Sequence, residues 1–411
     1  MLSRFVSFVC LACVALVWSA TAEAQPPSLP GEAAPALQLP PPAASPPKPK
    51  RRPKPKKATD PLERQSRDAG PVYVAPEEAA IDPDFAFVGE YTGSVRLTAS
   101  ARSTTAASLH INATGEGGFT GVLMFGHLPG QPGAAQTGQP LTGRRLGTQA
   151  ALTGGRFDVV LTNPGPRARA ELRVPLGQPD EGALRGTLER IDRGSPTLGQ
   201  SPPPGAIVLF DGTDTQRLVN GRISPEGWLI EGTETVEPWD DFRLHLEFRL
   251  PFKPNAAGQH RGNSGVYLQS RYELQVLDSF GFVPAFNDLG ALYRTRRPER
   301  IAARPPLQWQ TYDIDFRSPE FDSRGERTQP GRLQVWLNGV SIHSGIAIPN
   351  KTGAGQPEAG FPLPTKLQSH KNPVRYRNIW LLPRGTRGGF GPAPRAPISP
   401  TPVATPLSLA P

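Results

Sequence analysis

Glu273 and Gln275 lie in the run Tyr272-Glu273-Leu274-Gln275-Val276-Leu277-Asp278, where apolar and polar residues alternate. In an extended strand successive side chains point to opposite faces. Tyr272, Leu274 and Val276 would therefore meet a core while Glu273 and Gln275 project together from the other side. The nearby run Asn263-Ser264-Gly265-Val266-Tyr267-Leu268-Gln269 alternates in the same way. Ser264, Val266 and Leu268 would point inward, and Asn263, Tyr267 and Gln269 outward. Such a pair of strands presents one carboxylate, several planar amides and an aromatic ring on a single face. Sugars bind surfaces of this kind, because their hydroxyls take amide and carboxylate partners while their C–H faces take aromatics. The competing reading is a solvated sheet face, although Lys and Glu would serve solubility better than Gln, Tyr and Asn.

The elements that must position these residues are strands. Phe242–Leu250 reads FRLHLEFRL, which places Phe242, Leu244, Leu246, Phe248 and Leu250 on one face. Thr311–Arg317, Leu333–Leu337 and Val374–Leu382 continue the series through a block spanning about 205–384. An earlier block, 82–200, holds short alternating runs at Phe119–Phe125, Arg156–Leu161 and Ala168–Val174, separated by Gly, Pro and Asn. Neither block carries a helical stripe of any length. The fold class is all-β: a sandwich or jelly roll over 205–384, preceded by a small β-rich accessory domain. His110 and His127 stand alone in the first block, which suggests no chemistry of its own.

The later block resembles the 3-keto-disaccharide hydrolase family, whose domains are concanavalin-like jelly rolls. The resemblance rests on GAIVLFDGT (205–213), DFRLHLEFRLP (241–251), RGNSGVYLQ (261–269), YELQVLDS (272–279), GALY (290–293), WQTYDIDF (309–316), NGVSIH (338–343) and LQSHKNPVRYRNIWLLP (367–383), in the family's order. SPTLG (195–199) and the block before it look like an accessory domain found ahead of this one in many members. Three positions depart from the family's pattern: Ser369 replaces an acidic residue, Lys371 a glycine, and Leu337 a frequent histidine. If the lost residues matter for chemistry, activity or substrate differs from that of better-known members.

The resemblance implies an exported, carbohydrate-active enzyme that cleaves a glycoside already oxidised at C3. The carbonyl acidifies the C2 proton, a base removes it, and collapse of the enolate expels the glycosidic oxygen from C1. Such a site needs a base, a donor for the enolate oxygen and an acid for the leaving group. Glu273 is the first choice for the base, and His370 is the candidate acid or alternate base. Arg377 or Arg261 could hold the enolate oxygen. Asn263, Tyr267, Gln275, Tyr293, Trp309 and Gln368 are candidate sugar contacts. Asp278 falls on the core side by strict alternation, as a turn cap or a site residue reached through a bend. A lectin-like binding module and a structural envelope module are the alternatives to an enzyme. A two-carboxylate glycosidase is a weaker alternative, since only Glu273 is well placed among the carboxylates.

No cofactor is expected, and the metal requirement is left open. No nucleotide-binding glycine loop is present, so oxidation at C3 would fall to a separate sugar 3-dehydrogenase. Both cysteines, Cys10 and Cys13, lie in the first 24 residues, so the rest of the chain has no Cys-based metal site. The net charge of +9 is concentrated early: residues 1–57 carry eight Lys and Arg against Glu23 and Glu32. Their block, PKPKRRPKPKK, is interleaved with proline and lacks aromatics, which argues against nucleic acid as a partner. Residues 25–81 read as a Pro/Lys-rich disordered linker, a stiff spacer that would also suit attachment to an anionic envelope, and 385–411 as a Pro-rich tail. No stretch approaches the ~20 apolar residues of a transmembrane helix.

Arg4, the apolar run Phe5–Trp18 and Ala22-Glu23-Ala24 form a signal peptide over 1–24, with the mature protein periplasmic or extracellular. Protein recovered from expressing cells is expected to have the intact mass of a chain beginning at Gln25. A mature N-terminus at Met1 would refute export by this route.

Overall fold

Small and aliphatic residues at every second position build eight short strands in the first half: β1 (Gly89–Val95), β2 (Thr105–Gly115), β3 (Gly118–Phe125), β4 (Gln139–Leu146), β5 (Gln149–Thr153), β6 (Asp158–Thr162), β7 (Arg169–Arg173) and β8 (Leu184–Ile191). Each pairs antiparallel with the next, and β8 returns to β1, so the sheet closes into a barrel. All eight strands feed one buried apolar cluster, which includes Tyr91, Leu109, Ile111, Leu152, Leu161 and Leu188. Closure leaves no free sheet edge. These coordinates are a computed structural model, which describes residues 64–385. The expected leader, the linker up to residue 63 and the tail from 386 lie outside those residues.

The second half is a two-sheet sandwich. Its strands are β9 (Ile207–Phe210), β10 (Leu218–Val219), β11 (Leu229–Ile230), β12 (Thr233–Pro238), β13 (Phe242–Arg249), β14 (Ser264–Leu268), β15 (Tyr272–Val276), β16 (Trp309–Arg317), β17 (Glu320–Phe321), β18 (Arg327–Gln329), β19 (Arg332–Leu337), β20 (Val340–Ala347), β21 (Pro364–Leu367) and β22 (Arg375–Pro383). One sheet has five strands in the order β10-β12-β21-β14-β15. The other has seven, β11-β22-β13-β16-β19-β20 with β9 on β22, while β17 and β18 pair separately. Val266, Leu268, Tyr272, Leu274 and Val276 from the first sheet meet Phe242, Leu246, Tyr312, Ile314 and Val335 from the second in a single core. Each fully buried side chain of this size contributes roughly 1.5–3 kcal/mol.

Part of the expected linker is strapped to the sandwich instead. Tyr73 and Phe252 exchange two backbone hydrogen bonds of 3.0 Å, and their rings stack at 5.9 Å. Arg67 pairs with Ala257 in the same way, so residues 64–81 are not free of the fold. The Tyr73 ring, stacked on Phe252, and the two backbone pairings account for the docking.

Barrel and sandwich are joined through buried polar groups. Arg304 donates to both oxygens of Glu90 at 2.8 and 2.9 Å, and Arg193 donates to the same carboxylate at 2.9 Å. Asn112 of β2 donates to Asp278 and to the Phe280 carbonyl, each at 3.1 Å, and the His110 ring stacks on Phe280 at 4.7 Å. Gly281 sits at φ +74°, and a Cβ there would lie 3.0 Å from that of Asn112, so the close approach requires glycine. The SPTLG segment closes over the outer face of the seven-stranded sheet. Thr197 bonds Thr311 and Asp313, and the Gly199 N–H bonds Glu247 at 2.6 Å. His245, Glu247 and Asp313 beneath it are fully buried, so this polar set is a latch.

Two residues assigned to sugar binding from the sequence belong to the join. Arg261 donates to Asp278 at 2.6 Å and to the Ala113 carbonyl of the barrel at 3.2 Å, and both side chains are buried. Asp278 also caps its own turn by accepting the Phe280 N–H at 3.3 Å. Removing one member of a buried pair strands the other charge. Asp278→Ala is expected to destabilise the protein by about 3–5 kcal/mol, read by denaturant unfolding. Unchanged stability would show that the pair contributes nothing to the join.

Candidate active site

The β14–β15 hairpin carries the site. Its register pairs Gly265 with Gln275, Val266 with Leu274, and Tyr267 with Glu273. Val266 and Leu274 enter the core, so Tyr267, Glu273 and Gln275 share the outer face, as the alternation predicts. That face is covered, however, and Glu273 and Gln275 are only 3% and 1% exposed. The chain at 290–293 adds to the β15 edge, with the Tyr293 N–H bonded to the Glu273 carbonyl at 2.9 Å. Gln269 has left the strand: it sits in the turn at φ 49° and donates to the Trp239 carbonyl and Ser318.

Glu273 accepts the Tyr267 hydroxyl at 2.7 Å through Oε2, and Oε1 has no partner among the described residues. The carboxyl lies over Gly265, where an added Cβ would stand 2.6 Å from Oε1. Burial raises its pKa to about 7, and the Tyr267 hydrogen bond offsets only part of the shift. Tyr267 in turn is held protonated, by burial first and then by the neighbouring carboxylate. A carboxyl poised near neutrality takes up and releases protons readily at working pH.

Tyr267 forms part of an open groove of about 490 Å³, lined also by Glu234, Lys366, Gln368, Arg271 and Phe361. Glu234, Lys366, Tyr267 and Glu273 form one row across β12, β21, β14 and β15. The Gln368 N–H bonds the Gly265 carbonyl at 2.8 Å, and its amide reaches the Tyr267 hydroxyl at 3.5 Å. The Tyr293 ring flanks Gly353.

The remaining candidates lie elsewhere or have other partners. His370 is exposed on the segment after β21, and no hydrogen bond or ion pair joins it to Glu273 among the described residues. Gln275 donates to Gln259 at 2.7 Å, and Asn263 donates to the Gln259 carbonyl at 2.8 Å, which braces the covering loops. Trp309 and Arg377 sit on the opposite sheet: the Arg377 guanidinium lies 4.0 Å from the Trp309 ring and is paired with Glu247 at 2.7 Å. Neither residue's expected role came with a sheet assigned to it, and both stand in the seven-stranded sheet. Among the described residues no group of three His, Cys, Asp or Glu side chains is arranged to hold a metal ion.

Sequence reasoning missed Lys366, Glu234 and Arg271. Lys366 stands in the alternating run Pro364–Leu367 and could have been found by period, had strand neighbours been known. Arg271, 1% exposed, donates to the carbonyls of Pro357 and Phe361 at 2.8 and 3.0 Å and so secures the loop that walls the groove.

The pKa of Glu273 has a consequence for stability. The folded value, about 7, lies above the ordinary 4.5, so the folded state holds the proton more tightly and stability falls as pH rises from about 4.5 to 7. Glu273→Gln removes that fall. The variant and parent should be of similar stability at pH 4.5, with the variant more stable at pH 8 by up to about 3 kcal/mol. A difference that does not change with pH would refute the buried, neutral carboxyl.

Residues 205–382 match the 3-keto-alpha-glucoside-1,2-lyase-like domain. Two crystal structures from Parabacteroides distasonis ATCC 8503, each described as a "putative glycosyl hydrolase", are similar to this chain. One is 30% identical with a TM-score of 0.41, covering 45% of this chain and 86% of that one. The other is 17% identical with a TM-score of 0.34, covering 44% of this chain and 94% of that one. No curated protein matches the chain. Through its sandwich the chain belongs to the family of 3-keto-alpha-glucoside-1,2-lyase-like domains.

Proposed function

We propose that the sandwich cleaves 3-keto-glycosides by elimination. The observation that carries this reading is Glu273: a carboxyl with a pKa of about 7 and one oxygen without a partner among the described residues, hydrogen-bonded to a tyrosine that lines an open groove. Glu273 removes the C2 proton, and the electron pair moves into the C2–C3 bond as the C3 carbonyl becomes an enolate. The enolate then re-forms the carbonyl, and the C1–O bond breaks to give a C1–C2 alkene and an alkoxide. The alkoxide leaves as an alcohol after gaining one proton, and later addition of water to the alkene makes the net reaction hydrolysis.

Lys366, beside Tyr267 in the cross-strand row, supplies positive charge for the enolate oxygen. It takes the part expected of Arg377 or Arg261, both of which are held in ion pairs. His370, exposed two residues past Gln368, donates to the leaving group once substrate is bound. A binding-only module is the second reading, favoured by the absence of any contact between His370 and Glu273 among the described residues. The proposal includes export to the periplasm or beyond, attachment to the envelope through the basic segment, and a separate sugar 3-dehydrogenase that supplies the keto group.

Purified protein incubated with 3-keto-disaccharides and followed by mass spectrometry should release the free alcohol sugar, and ordinary disaccharides should stay intact. Glu273→Gln should lower turnover by ~10²–10⁴-fold while binding is largely retained. Parent kcat/KM should rise with pH through about 7, as Glu273 loses its proton. Binding without product at any pH would favour the binding-module reading.

A further inference from the structure

Phe361 is the one aromatic among the exposed large apolar side chains of the described residues, at 59% exposure. It stands in the wall of two hollows at once. One is the groove beside Tyr267, and the other, of about 350 Å³, is lined by Asp240, Asp241, Gln269, Ser318, Glu320 and Phe321. Ala359 also borders both hollows. A disaccharide is a ligand of ordinary small-molecule size, and the first groove alone has the volume for one. The second hollow is therefore space that a disaccharide does not need.

The exposed ring is held rigidly for a loop residue. Arg271 bonds the carbonyls of Pro357 and Phe361, and its guanidinium lies 5.3 Å from the Phe361 ring. The Gln356 N–H bonds the Ser270 carbonyl at 2.8 Å, and the Thr352 N–H bonds the Arg271 carbonyl at 3.0 Å. The loop from 352 to 361 is thus tied to the tip of the hairpin that carries Glu273. An apolar ring fixed in water, at the junction of a largely apolar groove and a polar hollow, suits the C–H face of a sugar. The carboxylates and hydroxyl beyond it suit that sugar's hydroxyls.

We infer that the substrate is a glycan chain of three or more units, with Phe361 as the stacking platform between the groove and a second subsite. The reacting keto unit lies at Tyr267 and Gln368. The chain crosses Phe361, and its next unit occupies the hollow at Asp240 and Ser318. This rests on the cleavage reading for the identity of the reacting unit but not for the platform itself. Arg271 acts as a positioning residue, since it reaches the substrate only through the loop it holds.

The test compares 3-keto-trisaccharides with 3-keto-disaccharides, and in parallel measures calorimetric binding of the unoxidised trisaccharide and disaccharide. The parent should prefer the trisaccharide in both assays. Phe361→Ala should lose about ten-fold in kcat/KM and in affinity for the trisaccharide and less than three-fold for the disaccharide, and Phe361→Trp should keep the preference. Thermal melting checks that both variants fold. Equal losses on the two lengths, or a parent without length preference, would overturn the platform. If the parent cleaves neither compound, the cleavage reading fails and binding alone decides. Length-dependent binding lost in Phe361→Ala would then uphold the platform, and length-independent binding would overturn it.

Discussion

The register of the β14–β15 hairpin decides which side chains reach the groove. A slip of one residue would exchange the faces, sending Glu273 and Tyr267 into the core and Leu274 into the site. The three-residue turn Gln269-Ser270-Arg271 fixes that register, although Gln269 and Ser270 both sit at positive φ. Backbone of this kind in non-glycine residues costs roughly 1–3 kcal/mol each and persists only where the surroundings hold it. Here they do: Gln269 is bonded to Trp239 and Ser318, Ser270 donates to the Pro364 carbonyl, and Arg271 grips the loop above. The contacts that hold the turn also build the groove wall, so fold register and site geometry are set by one group of hydrogen bonds.

The barrel stabilises the same region from behind. Asn112, His110 and Thr120 contact the chain at 278–281, directly after β15, and Glu90 takes Arg304 from the segment before β16. Both ends of the stretch that runs from 278 to 304 are thereby fixed. That stretch contains Tyr293 and the backbone that closes over Glu273. The barrel thus contributes to the site by fixing loops rather than by supplying a reacting group.

Strict alternation made the strands, the two faces of the hairpin and the choice of Glu273 legible, because period 2 is a local property of the chain. Trp309 and Arg377 stand on the other sheet, which no local pattern announces. Alternation gives a face of a strand, while the sheet that strand joins depends on long-range pairing. Asp278 and Arg261 are oppositely charged residues whose partner domain is more than a hundred residues away in sequence, at Asn112 and Ala113. Nothing near them announces a domain contact. Arg271 and Phe361 meet across ninety residues, and the Gly- and Pro-rich stretch that holds Phe361 has no period to read.

Three buried glutamates set out the electrostatic logic of the site. Burial pushes the pKa of each upward. Glu90 has His110, Arg304 and Arg193 around it, and Glu247 has His245, Asn378, the Gly199 N–H and Arg377. In both the partners outweigh burial and the pKa falls, so these carboxylates stay charged and serve as ties. Glu273 is buried to the same degree but faces only a neutral phenol, and its pKa rises to about 7. An arginine beside it would stabilise the fold and lower its basicity, turning it into a third tie. The lack of a cationic hydrogen-bond partner on Glu273 among the described residues is therefore what separates its carboxyl, with a pKa near neutrality, from the charged ties Glu90 and Glu247. The same arrangement leaves burial as the dominant influence on Glu273, so the fold resists its ionisation.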